Sequence, residues 1–187
     1  MHAANYHHQN LYIHANTHQE TQTINSLVVD SIDMASLIHE RPACRERLQA
    51  CRGMAALQRV HDTLVAMYNA RHRNSNTLGY RDAEGQLMPL PLPPHPGNAE
   101  IKPITTQEAM FREGSTMNHC IASYIDRAML GRFYAYHLDH PEPVSIGVNV
   151  SKGKIISLDQ AKGKRNAMPS EEAMAVIKAW LGECLKG

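Results

Sequence analysis

The 187-residue chain has almost no net charge: 19 Lys and Arg against 18 Asp and Glu leave +1 with His neutral. No global basic field draws it onto nucleic acid, so any such binding must come from a local cluster. Its four cysteines, Cys44, Cys51, Cys120 and Cys184, form no Cys-x-x-Cys pair. That argues against a zinc ribbon and a secreted disulfide scaffold, and it suits a reduced, cytoplasmic setting. No stretch approaches the ~18 apolar residues of a membrane span, so no membrane partner is expected. The start, Met1 to His8, lacks both a cationic segment and an apolar core, and does not read as a signal peptide. Carboxylates such as Asp126 and Asp159 are isolated, which disfavours a Mg²⁺ nuclease, and no GxxxxGK[ST] loop occurs. No cofactor and no metal are expected.

What is present is an ordinary globular composition, 43% hydrophobic, sized for one domain, or one domain with a helical extension. Histidine is abundant at 12, with His2, His7, His8, His14 and His18 crowded at the start. No carboxylate or Cys accompanies them at a fixed ligand spacing, so residues 1–18 read as a flexible polar arm rather than a metal site. Ile24, Leu27, Val28, Ile32, Ala35 and Ile38 recur at helical spacing up to Arg41-Pro42. Pro42 can open a second helix carrying Cys44, Leu48 and Cys51, interrupted or bent at Gly53, then Leu57, Val60, Leu64 and Tyr68. Residues 19–73 are therefore expected to form a helical hairpin, with Cys44 and Cys51 in its core. Residues 74–104 read as a Pro-rich irregular connection: a short hairpin turning at Glu84-Gly85, then an extended run with five prolines between 89 and 96.

Residues 105–187 read as an α+β module. Thr105-Thr106-Gln107-Glu108 opens a short helix that Gly114 is expected to stop. Ser115 or Thr116 would then cap a second helix with Met117, Ile121, Ile125 and Ala128 as its apolar stripe and Gly131 at its end. On such a helix His119 lies over Ser123 and Cys120 over Tyr124. Strands follow over 133–138, 144–150 and 155–160 as an antiparallel meander. One face is expected to be for helices and the other for a cleft or solvent. A final amphipathic helix begins at Pro169-Ser170, with Trp180 in the core. The fold class is thus α+β, with an N-terminal helical hairpin, a Pro-rich connection, a helix, a three-stranded antiparallel meander and a C-terminal helix.

Two polar groupings stand out: Asn118-His119-Cys120 to Tyr124, and Gln160 to Asn166 with Lys162, Lys164 and Arg165 around Gly163. A basic turn leaving a strand end can offer amides and charges to phosphate. Glu113-Gly114, Met117, His119-Cys120-Ile121 and Tyr124, followed by the meander and Gln160-x-x-Gly163-x-x-Asn166, resemble the PcfJ-like family over about residues 100–182. The resemblance implies a setting on phages, conjugative plasmids and other mobile elements. It also implies that His119, Cys120, Tyr124, Gln160 and Asn166 form one polar constellation.

Three readings follow. In the first, a mobile-element accessory protein contacts nucleic acid through Lys162, Lys164, Arg165 and Arg132 beside that cluster. In the second, a phage-encoded inhibitor or adaptor binds a host defence protein. In the third, an enzyme uses Cys120 or Tyr124 as nucleophile, His119 as acid or base, and Gln160 or Asn166 as transition-state donor. The cluster can equally be a structural hydrogen-bond network, and nothing in the sequence specifies an oligomeric state.

Overall fold

The structure, a computed structural model, describes residues 18–74 and 79–186. The expected His-rich arm lies outside these residues except for His18. The chain divides into two units, residues 1–71 and 72–187.

The first unit is helical: α1 (His18–Leu37), α2 (Arg41–Ala50) and α3 (Met54–Asn74). The predicted stripe is buried at Ile24, Leu27, Val28, Ala35 and Ile38, joined by Met34. Pro42 lies in the first turn of α2, where a missing N–H is harmless. The expected second helix is divided in two. Cys51 takes an extended conformation after α2, and Gly53 adopts φ +87°, a region open to Gly without steric cost. Cys44 and Cys51 are core residues, as their spacing implied. The Cys44 thiol donates to the Ser31 carbonyl across α1 and α2 at 3.6 Å, and burial raises the pKa of both thiols.

The second unit is a four-stranded antiparallel sheet in the order β1-β2-β3-β4. Its strands are β1 (Ile101–Pro103), β2 (Phe133–Leu138), β3 (Val144–Ser151) and β4 (Lys154–Lys162). Three of these are the expected meander. The fourth, β1, lies in the segment read as an irregular connection and pairs with β2 from Ile101↔Leu138 to Pro103↔Tyr136. Pro103 is tolerated because β1 is an edge strand.

The preceding Pro-rich run is no free spacer. The His95 carbonyl accepts from the Tyr136 hydroxyl at 2.9 Å, and the His95 ring packs edge-on against Trp180. Upstream, Arg81 and Leu87 form an antiparallel bridge around the expected turn. Buried Gln107 holds this hairpin: its Oε1 accepts from Tyr80 N–H and its Nε2 donates to the Tyr80 and Met88 carbonyls.

Helices cover both faces of the sheet's centre, whereas one face was expected to meet a cleft or solvent. On one side α6 (Glu171–Cys184) buries Ala173, Ile177 and Trp180 against Tyr134, Tyr136, Val144, Ile146 and Val148. On the other lie α4 (Gln107–Met117), a 3₁₀ turn (Ile121–Tyr124) and α5 (Ile125–Met129). There Tyr124 packs on Phe133 with ring centroids 5.1 Å apart.

Two expectations for this side are corrected. Gly114 does not stop a helix; it is buried within α4, which runs on to Met117. Ser115 and Thr116 therefore sit in a last turn, not at an N-cap. The cap that exists is Thr106, whose hydroxyl accepts from Ala109 N–H at 3.0 Å. The chain leaves α4 through Asn118 in the left-handed region, φ 53° and ψ 53°, a conformation Asn accepts readily. His119 and Cys120 thus stand in a turn between α4 and the 3₁₀ segment, not within the single helix expected over this stretch.

Candidate functional site

The site is built by the end of α4, β3 and β4. The parity of β4 decides which of its residues reach it. Leu158 opposes Val148, but Gln160 opposes Gly147 and Lys162 opposes Ser145. Asp159 is the extra residue of a β-bulge, and one extra residue turns every later side chain to the opposite face. Gln160 and Lys162 consequently share a face with Gly147 and Ser145, on the α4 side. Ala161 is left to pack toward the α6 core.

A crevice too tight to admit a water molecule is lined by His119, Cys120, Ile121, Ser145, Gln160, Lys162 and Asn166. Of the five residues placed in one constellation, four line it: His119, Cys120, Gln160 and Asn166. Tyr124 does not. Its ring lies against Phe133 and under the Arg127 guanidinium, 5.1 Å from the ring centre.

Behind the cleft runs a polar chain, buried at His119 and Ser145 and exposed at its Asp139–Lys102 end, that the sequence did not single out. The Ile121 N–H donates to His119 Nδ1 at 3.3 Å. That assigns the proton of the neutral ring to Nε2, which donates to Ser145 Oγ at 2.7 Å. The Ser145 hydroxyl donates onward to Glu113 Oε1 in a short contact. The same oxygen accepts from His137 Nδ1 at 2.7 Å. His137 Nε2 reaches Asp139 at 3.3 Å, and Asp139 meets Lys102 at 3.7 Å.

Burial by itself would raise the Glu113 pKa. Hydrogen bonds from His137 and Ser145, with the charge on His137, outweigh it and hold the carboxyl below its ordinary value. The hydrogen bond to Glu113 lifts His137 above its own, against burial, with Asp139 assisting. The chain therefore contains a charged Glu113–His137 pair whose shared oxygen, Glu113 Oε1, accepts from both His137 and Ser145. One signal for it was available. His137 and Ser145 are cross-strand partners, polar residues, like Asn149, on the face of β2 and β3 that Phe133 and Ala135 share.

Both nitrogens of His119 are engaged, and the residue is 2% exposed. Cys120 is 3% exposed, and its carbonyl accepts from Ser123. Ser145 spends its proton on Glu113. Lys162, Gln160 and Asn166 complete the lining. Asn166 Nδ2 is buried without a hydrogen-bond partner.

Lys164 and Arg165 continue the cationic run in an exposed 3₁₀ turn, where Arg165 and Asn166 both take positive φ, 57° and 60°. Among the described residues no carboxylate pairs with Lys162, Lys164 or Arg165. Arg132, grouped with them from sequence, belongs elsewhere. Its carbonyl accepts from Val150 N–H at 3.0 Å, at the other end of β3 from Ser145 and Lys162.

No helix among the described residues is long and apolar enough to cross a membrane. Comparisons with curated proteins and with solved structures return no match. A model of the PcfJ-like protein family matches residues 27–177, taking in the helical unit as well as the module that carries the motif. With that span, and with the His119-Cys120 turn and the Gln160–Asn166 segment meeting at one cleft, the chain belongs to the PcfJ-like family.

Proposed function

We propose that this protein is a mobile-element accessory protein, of phage or plasmid, that contacts nucleic acid through Lys162, Lys164 and Arg165 beside the His119–Asn166 cleft. The observation that carries this reading is the run of three cations that no carboxylate neutralises among the described residues, Lys162 lining the cleft and Lys164 and Arg165 exposed just after it in the chain. Cations left unpaired in this way attract the phosphate backbone even when net charge is near zero. The family's setting on mobile elements supports the biological frame. The buried Glu113–Ser145–His119 chain serves as scaffold: it holds the 118–121 turn against β3 and leaves the cleft its shape.

The test is binding of labelled single- and double-stranded oligonucleotides to the full chain. Lys162→Gln, Lys164→Gln and Arg165→Gln together are expected to lower affinity by about two orders of magnitude, given the steep dependence of such binding on phosphate contacts. Arg132→Gln with Lys152→Gln, at the far end of the sheet, is expected to leave it unchanged. Equal affinity for all three proteins would overturn the proposal and turn attention to a host protein as partner.

A further inference from the structure

We infer that an open groove in the helical unit, between the last turn of α2 and one face of α3, binds an acidic segment of a partner protein. Its carboxylates meet Arg47 and Arg59, and an apolar side chain fills the floor between them.

The groove follows from the spacing of α3. Leu57, Leu64, Val65 and Tyr68 are buried and form the core face of that helix. Ala56, Arg59, Val60 and Thr63 recur at i, i+3, i+4 and i+7, a second stripe on another side of it. The break at Cys51–Gly53 sets Arg47 and Cys51 alongside that stripe, and the space between holds about 400 Å³, open to solvent. Ligand-sized pockets span roughly 300–1,000 Å³, so there is room for side chains of a partner. Cys51 is buried and Ala56 and Val60 are half-buried, which makes them the floor; Arg47 and Arg59 are exposed and flank it.

Charge then selects the occupant. Guanidinium groups donate and cannot accept. Among the described residues no carboxylate lies in ion-pair range of Arg47 or Arg59. Asp62, the one acid of α3, accepts from Gln58 at 2.9 Å, and Glu46 does not line the groove. The last carbonyls of α2, which would repel an anion, are already taken. Cys51 donates from Sγ to the Arg47 carbonyl and from N–H to the Leu48 carbonyl, each at 3.2 Å. The Arg52 guanidinium donates to the Gln49 and Cys51 carbonyls, each at 3.1 Å. Arg52 is thus spent as a cap, while Arg47 and Arg59 stay open to a ligand.

The floor and the kind of cation favour protein over nucleic acid. Among the described residues no aromatic side chain lines the groove, so a base would find nothing to stack on. A phosphate backbone would cover the cations and leave the apolar floor bare, whereas an aliphatic side chain gains by covering it. Every cation before Lys102 is an arginine. Arginine is enriched and lysine depleted at protein interfaces, and its planar fork takes a carboxylate through two bonds.

The experiment selects a displayed library of short random peptides on the full chain. The enriched peptides are then made with a fluorescent label and measured by anisotropy. Enriched sequences are expected to carry acids on both sides of an apolar residue. Arg47→Gln with Arg59→Gln is expected to weaken their binding about tenfold, a modest step because both guanidiniums are solvent-exposed. Ala50→Glu, at an exposed position in the lining, is expected to do the same by repulsion. The Lys162/Lys164/Arg165 variant is expected to bind them as the wild type does. A selection that enriches no acidic sequence, or acidic peptides that bind both groove variants undiminished, would overturn the inference. So would an oligonucleotide that displaces the peptide and itself loses affinity in the Arg47/Arg59 variant, which would assign the groove to phosphate.

Discussion

Ser145 sits between two residues that both need it. It accepts from His119 and donates to Glu113, with almost no exposure of its own. Ser145→Ala strands a buried imidazole N–H and removes one partner of a carboxylate. Such losses cost about 1–3 kcal/mol, and denaturant unfolding should show a fall of that size with an unchanged slope.

The neighbouring pair carries a pH signature. His137 has a folded pKa above its ordinary 6.5, so its contribution is complete below that value and is lost as pH rises through the raised one. Glu113 has a folded pKa below its ordinary 4.5, so its contribution is complete above that value and fades as pH falls through the lowered one. The stability advantage of the wild type over His137→Gln should therefore be widest between pH 4.5 and 6.5 and narrow as the solution becomes alkaline. An advantage that grows above that window would contradict the assignment of a charged pair.

At the scale of elements, the β3–β4 ladder sets the cleft. The Asp159 bulge turns Gln160 and Lys162 toward Ser145, and Gly147 gives the Phe133 ring room on the same face. A Cβ at Gly147 would stand 2.6 Å from Phe133 Cε2 and 2.8 Å from Cζ, and Phe133 is fully buried against Tyr124. Gly147→Ala is expected to destabilise by about 1–3 kcal/mol, the usual effect of overfilling a packed core, measured by thermal or denaturant unfolding. A neutral outcome would mean that the sheet and the Tyr124 side are not packed as described.

Much of this level was legible in the sequence. Strict alternation over Val144–Val150 identifies β3, and the α6 stripe places Trp180 in the core. The α4 boundary was not legible. Gly114 looks like a stop signal, but it is buried within α4, and local propensity does not register burial. Nor was β1, three residues long with a proline at its end. Its strand character comes from its partner on β2 rather than from its own composition.

Taken whole, the molecule joins a helical unit to a sheet unit, and the family match spans both. His119 and Cys120 from one polar grouping and Gln160, Lys162 and Asn166 from the other line one cleft, and Tyr124 does not. The chain of Glu113, Ser145 and His137 went unnoticed because it is assembled by strand pairing, not by sequence proximity. The most direct measurement of the central claim is how nucleic-acid affinity depends on salt. Each phosphate neutralised contributes a logarithmic slope of about −0.9 on duplex DNA and about −0.7 on single strands. Binding by the wild type should weaken steeply as salt rises, and replacing Lys162, Lys164 and Arg165 should flatten the slope by roughly two to three on duplex DNA. A slope that is the same with and without those three cations would contradict the account.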